Sequence, residues 1–235
     1  MSIVLVHGAW ADGSSWDKVV PLLQAKGFDV VAVHLPLTTT SDDIAATARA
    51  IQQQPGDVVL VGHSYGGFVI TAAGNDPKVK ALVYVDAFAL DDGETINGLL
   101  RNKTPAWVRT LQLDSGGFAW MPAETIKSDF AQDLPLAQQR LLAVKQGPVP
   151  LKYFDDPMRG AAWKTKQSWY VQGNDDRIIP PGMQAQMARR AKAKVTAIDA
   201  GHVSMLAKPH AVAEVIIEAA SAPVRTAVNS DTAPD

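Results

Sequence analysis

The 235-residue sequence predicts an α/β protein: a doubly wound, mainly parallel six-stranded sheet with a helical insertion. Three observations carry that reading. Short β-branched runs alternate with longer amphipathic stretches through the first 86 residues. Those runs are almost continuously apolar, as strands covered on both faces must be. The alternation then lapses for some eighty residues and resumes, which places an insertion between two parts of one sheet.

Ile3 to Val6 reads as the first strand, broken at Gly8. Trp16 to Ala25 reads as a helix stopped at Gly27, and Asp29 to Val33 as the second strand. A helix is expected from Ser41 to about Gln54, with Ser41 as N-cap and Asp42 and Asp43 favourable to the helix dipole. Asp57 to Val61 gives the third strand, a glycine-rich turn follows, and Phe68 to Ala73 gives a helix. Ala81 to Val85 is the fourth strand. Residues 89–166 show no convincing strand but carry Trp107, Phe118, Trp120, Met121, Phe130 and Phe154, and are expected to form a mostly helical cap over the sheet. Ser168 to Val171, a helix over Pro181 to Ala191, Lys194 to Ile198 and a last helix over Pro209 to Ala220 complete the pattern. The expected domains are a core of 1–88 and 167–222, the insertion 89–166, and a frayed tail of 223–235.

Composition bounds the function. Lys and Arg number 22 against 24 Asp and Glu, a net charge of −2, which argues against a phosphate- or lipid-neutralising role. There is no cysteine, so disulfides, thiolate catalysis and cysteine-ligated metals are impossible. No apolar run approaches the roughly 20 residues of a membrane span. The N-terminus has no basic n-region, and the expectation is a cytoplasmic protein, monomer or homodimer, without nucleic-acid or membrane partners. No P-loop or dinucleotide fingerprint is present, and neither metal nor cofactor is expected.

The chemistry concentrates after the third strand, where Gly62-His63-Ser64-Tyr65-Gly66 is G-x-S-x-G between a strand and a helix. That context presents a serine on a strained turn, with the glycines leaving room and the helix N-terminus aimed at the same space. Serine is a weak nucleophile and needs a base. Of the five histidines (His7, His34, His63, His202, His210), His202 lies in a loop between the last strand and the last helix, able to reach the elbow. His63 reads as packing and His210 as surface. The imidazole needs an acid. Asp175 and Asp176 follow the fifth strand, and only one of two neighbours turns inward; Asp86, ending the fourth strand, is the rival. An oxyanion would meet the backbone N–H groups of Ala9, in the loop after the first strand, and Tyr65. Aromatic residues suggest a small apolar pocket with Trp10, Trp107, Phe118 and Trp120 among its walls.

With these residues in view the sequence resembles the α/β-hydrolase superfamily along nearly its whole length. Leu5-Val6-His7-Gly8-Ala9-Trp10, the elbow, and Gly201-His202-Val203-Ser204-Met205-Leu206 are similar to small bacterial esterases related to the plant methylesterase and hydroxynitrile lyase group. The resemblance implies the order Ser64, Asp176, His202 for nucleophile, acid and base, and a Gly173-x-x-Asp176 spacing that favours Asp176 over its neighbour. It implies hydrolysis of a small-molecule ester through an acyl-enzyme. Hydroxynitrile lyases of the plant type carry threonine where Gly8 stands and lysine where Val203 stands; both are missing, which favours ester hydrolysis over the rival cyanohydrin cleavage, with cofactor-free perhydrolysis and a ligand-binding pseudoenzyme as further alternatives. A serine at position 64 excludes the aspartate-nucleophile dehalogenases and epoxide hydrolases of similar fold.

Overall fold

The computed structural model describes residues 1–101 and 104–223. Its strands, in chain order, are β1 (Ser2–Val6), β2 (Asp29–Val33), β3 (Val58–His63), β4 (Val79–Val85), β5 (Gln112–Leu113), β6 (Phe118–Trp120), β7 (Val149–Pro150), β8 (Gln167–Gly173) and β9 (Lys194–Ile198). Six of them form one sheet in the order β2-β1-β3-β4-β8-β9, every neighbouring pair parallel. Every residue of β1 and β3 is buried. Successive strand residues point to opposite faces, so both faces are covered. The edge strands differ: β2 and β9 are apolar in sequence yet partly exposed, because an edge strand has a neighbour on one side only.

The principal helices are α1 (Val20–Gln24), α2 (Thr40–Gln52), α3 (Gly66–Ala73), α4 (Ile96–Arg101), α5 (Ala123–Thr125), α6 (Leu136–Lys145), α7 (Pro181–Arg190), α8 (Ser204–Ala207) and α9 (Pro209–Ser221). Among those covering the sheet, α1 packs on α9, α2 on α3, and α7 on β8. No helix among the described residues is long and apolar enough to cross a membrane. The tail expected from 223 onward lies, beyond Pro223, outside the described residues.

Three local expectations are corrected. The helix expected over Trp16 to Ala25 is a 3₁₀ turn (Gly13–Trp16) followed by the short α1, whose Pro21 sits in the first turn. The N-cap of α2 is Thr39, not Ser41: Thr39 is extended (φ −146°) and its hydroxyl accepts from Asp42 N–H at 3.0 Å, while Ser41 is already helical. The insertion also contains a small antiparallel sheet, β5-β6-β7. Its β5–β6 hairpin is made by Asp114, whose carboxylate accepts from Gly116 and Phe118 N–H at 2.8 and 2.9 Å, and by Gly117 at φ +79°.

Parallel pairing aligns the strand ends. Val6 is level with Gly62, His63 with Val85, Val85 with Val171, and Gly173 with Ile198. Residues just past those ends therefore share one edge of the sheet. The capping assignment predicts that Thr39→Ala destabilises the fold by about 1 kcal/mol, whereas Ser41→Ala, exposed and inside the first turn, changes it by less than about 0.5 kcal/mol. Urea denaturation of the two variants distinguishes them.

Candidate active site

Four of the five non-glycine residues with positive φ among those described sit just beyond strand ends: Trp10 (57°) after β1, Leu37 (53°) after β2, Ser64 (52°) after β3 and Asp86 (47°) after β4. Left-handed backbone at such residues is strained and persists only where the surroundings impose it. At Ser64 the imposition is visible. A Cβ on Gly62 would stand 2.5 Å from Gly66 O, and one on Gly66 would stand 2.6 Å from Val6 O. Only glycines allow β1, β3 and the start of α3 to approach this closely.

The turn holds the Ser64 hydroxyl 2.9 Å from His202 Nε2, and His202 Nδ1 lies 2.8 Å from Asp176 Oδ2. Ser64 is 5% exposed, Asp176 3% and His202 not at all. Nδ1–H donates to the carboxylate, which leaves the Nε2 lone pair facing the serine hydroxyl. Burial pushes the His202 imidazole down to about 3, against the favourable charge of nearby Asp133, so the ring is neutral at neutral pH. Burial pushes the Asp176 carboxyl up. Four donors oppose that: Ile178 N–H at 2.7 Å and Ile179 N–H at 2.9 Å on Oδ1, Gln184 Nε2 at 2.7 Å and His202 Nδ1 on Oδ2. No acceptor faces it among these partners, and that favours the carboxylate.

The competing acids separate cleanly. Asp175 is exposed. Asp86 is fully buried, but its oxygens accept from Gly173 N–H at 2.8 Å and Ser204 N–H at 3.3 Å, not from His202. It ties the end of β8 to the residue that opens α8. His63, expected to be packing, does more: it is fully buried, and its Nε2–H donates to the His202 carbonyl at 2.8 Å. Burial holds this ring neutral as well. His7 is buried too, donating from Nδ1 to Gly8 O at 2.9 Å and accepting from Leu35 N–H at 3.0 Å on Nε2. His210 is exposed, as expected.

Ala9 and Tyr65 are 2% and 1% exposed, and among the described residues neither backbone N–H donates a hydrogen bond. Trp10 and Trp107 are brought together, their rings 5.7 Å apart, with Phe154 5.9 Å from Trp10. Trp10 Nε1 donates to Ala119 O and Trp107 Nε1 to Ile178 O, stitching the insertion to the loops after β1 and β8. Phe118 instead borders a cavity of about 390 Å³ with His7, Leu35 and Leu37. Trp120 is 39% exposed and takes no part in the ring contacts around Trp10; its strand alternates, with Ala119 inward and Trp120 outward. A hollow of about 430 Å³ borders Asp176 on the side of Asp133 and Arg177, reaching neither Ser64 nor His202. Sequence reading also missed Gln184 and Phe130, whose ring meets His202 edge-on at 5.2 Å; neither belongs to a motif.

Similarity to known proteins agrees with this architecture. Residues 3–215 match the model of the alpha/beta hydrolase family. A pyrethroid hydrolase of Sphingobium wenxiniae is 29% identical over 250 residues, spanning 94% of this chain and 88% of that protein. Methylesterase 3 of Arabidopsis thaliana is 26% identical over 255 residues, 93% of this chain and 95% of that one. The crystal structure of a pyrethroid hydrolase from Sphingobium faniae JZ-2 superposes with a TM-score of 0.81 at 26% identity, covering 95% and 98% of the two chains. Fold and relatives define an esterase-type hydrolase. The chain belongs to the alpha/beta hydrolase family.

The crowding at the elbow predicts that Gly66→Ala costs about 2 kcal/mol, since the new methyl group meets backbone carbonyls that cannot rotate away. Gly182→Ala, with open space around it, serves as the control in the same denaturation experiment.

Proposed function

We propose that the protein hydrolyses small carboxylic esters through an acyl-enzyme on Ser64. The observation that carries this reading is the unbroken line from Ser64 Oγ through the His202 ring to Asp176, with both contacts at or below 2.9 Å. His202 Nε2 takes the hydroxyl proton as Ser64 Oγ bonds to the ester carbonyl carbon, and the carbonyl electron pair moves onto oxygen. The Ala9 and Tyr65 N–H groups receive that oxyanion. Its collapse breaks the bond to the alcohol, which leaves with the proton from His202. Water then gives a proton to His202, attacks the acyl carbon and frees the acid, returning the proton to Ser64. Asp176 holds the ring orientation and the transient imidazolium throughout.

The names of the pyrethroid hydrolase and methylesterase relatives support ester substrates. The insertion, 89–166, is read as a cap whose Trp10-facing aromatic residues set substrate size, with Trp107 and Phe154 the supported walls. Cyanohydrin cleavage is disfavoured. Any side chain at Gly8 would bring its Cβ within 2.8 Å of Ser64 Cβ, so a threonine has no place there, and Val203 offers no charge to a leaving cyanide. The reading is of a cytoplasmic monomer or homodimer that uses no cofactor.

Stopped-flow hydrolysis of p-nitrophenyl butyrate tests it: the wild type should give a nitrophenol burst or steady turnover that Ser64→Ala abolishes. Release that persists in the mutant, or none from folded wild type, would overturn the reading. Asp176→Asn should lower kcat by about 10⁴-fold, as loss of the tautomer-fixing acid does elsewhere, while Asp175→Asn stays within about twofold of wild type because its side chain is solvated. The base must be neutral to act. Burial lowers the His202 pKa against the charge of nearby Asp133, while His63, itself held neutral by burial, adds no charge. The acid limb of kcat/KM should therefore fall below about 6.5, the ordinary imidazole value; a midpoint at or above it would contradict the buried neutral ring.

A further inference from the structure

The loops that carry Asp176 and His202 leave the sheet where β8 and β9 end, at Gly173 and Ile198. Beyond the ladder, the backbones are joined by Asn174 N–H to Ile198 O at 2.9 Å and Asp175 N–H to Ala200 O at 3.1 Å. Two consecutive residues of the insertion reach across this junction. Gln132 Nε2 donates to the carbonyl of Asp175, the residue before Asp176, at 2.8 Å. Asp133 Oδ2 accepts from the N–H of Gly201, the residue before His202, also at 2.8 Å. The approach is close: a Cβ on Gly201 would stand 2.6 Å from Gln132 Nε2 and 3.1 Å from Asp133 Oδ1. Just upstream, Phe130 lays its ring edge-on to His202 and Ser128 O accepts from Arg177.

From this juxtaposition we infer that Gln132 and Asp133 are positioning residues, a clamp from the insertion that sets the separation of Asp176 and His202. Neither side chain touches Ser64 or the reacting atoms. Gln132 holds the peptide that leads into Asp176 and Asp133 holds the N–H of the residue before His202, so together they fix how far the carboxylate stands from the ring. The mechanism tolerates little error here, since misplacement by about 1 Å can cost two orders of magnitude in rate. The clamp also gives the insertion a second task besides shaping a pocket: the acid–base pair is fully assembled only while the insertion is seated on the sheet. Asp133 acts as an acceptor in this scheme, holding Gly201 N–H.

This inference rests on the esterase reading for its kinetic arm only. The experiment compares wild type, Asp133→Ala, Asp133→Asn and Gln132→Ala by kcat and KM for p-nitrophenyl butyrate. It also follows the downfield proton resonance of His202 Nδ1–H, which needs no substrate. Asp133→Ala and Gln132→Ala should each lower kcat about tenfold with KM within about twofold, and shift or broaden the resonance. Asp133→Asn, which keeps an oxygen for Gly201 N–H, should recover most of the loss. Wild-type kcat and an unmoved resonance in both alanine variants would overturn the clamp, as would Asp133→Asn losing as much as Asp133→Ala. A variant that fails to fold is replaced by the other alanine variant, since each cuts one strap of the clamp. Should wild type hydrolyse no ester, the esterase reading fails while the resonance still judges the clamp.

Discussion

A carboxylate sealed from water must be surrounded by donors or lose its charge, and much of this site is arranged around that demand at Asp176. Two donors are successive backbone N–H groups of its own loop, one is Gln184 from α7, and one is His202. The first three leave a single lone-pair direction on Oδ2 for the imidazole, which fixes the ring. The ring in turn faces Ser64, and its backbone is held from the other side by His63. Replacing any one donor by an apolar group would leave a buried charge short of a partner, a cost of about 1–3 kcal/mol in such settings. The geometry is thus maintained by electrostatic necessity as well as by packing.

The second constraint is backbone strain at the sheet edge. Parallel pairing brings β1, β3 and β4 level; directly past β3 and β4, and in the loops that follow β1 and β2, the chain turns through a left-handed residue. Each such residue costs about 1–3 kcal/mol. The buried central strands supply the stability that keeps these turns in place. Strain and support lie a few residues apart in sequence, so a single topological element both raises the serine and prevents it from relaxing.

These two constraints explain what the sequence disclosed and what it withheld. The central strands were legible because double-sided burial writes a continuous apolar run, and Ser64 was legible because the elbow needs glycines at fixed offsets. His202 followed from its place between the last strand and helix. The choice between Asp175 and Asp176 was not a matter of spacing alone: it depends on which side chain finds four donors, and Gln184 lies eight residues away without any motif. The exposure of β2 and β9 was hidden, because apolar content does not say whether a strand has a second neighbour. The β5–β6 hairpin did leave a trace in Asp114-Ser115-Gly116-Gly117, a turn sequence overlooked because its strands are only two and three residues long. Serine is by itself the better cap of the two; what selects Thr39 over Ser41 is the extended backbone at Thr39.

The same logic sets what this site can become. Ser64, Gly8 and His63 share so little room that a side chain at Gly8 would displace the nucleophile or the ring behind it. A side chain there would force the loop after β1 away from the elbow, because the atoms it meets are Ser64 Cβ and the His63 ring. Position 203 is closed in a different way, since Val203 is buried next to His202 and a lysine there would need to bring its own counter-charge. The insertion is the more permissive side, where Trp120, Leu113 and the outer face of α6 lie open to solvent. Residues there can vary without touching Ser64, provided that residues 132 and 133 continue to hold the loops that carry Asp176 and His202.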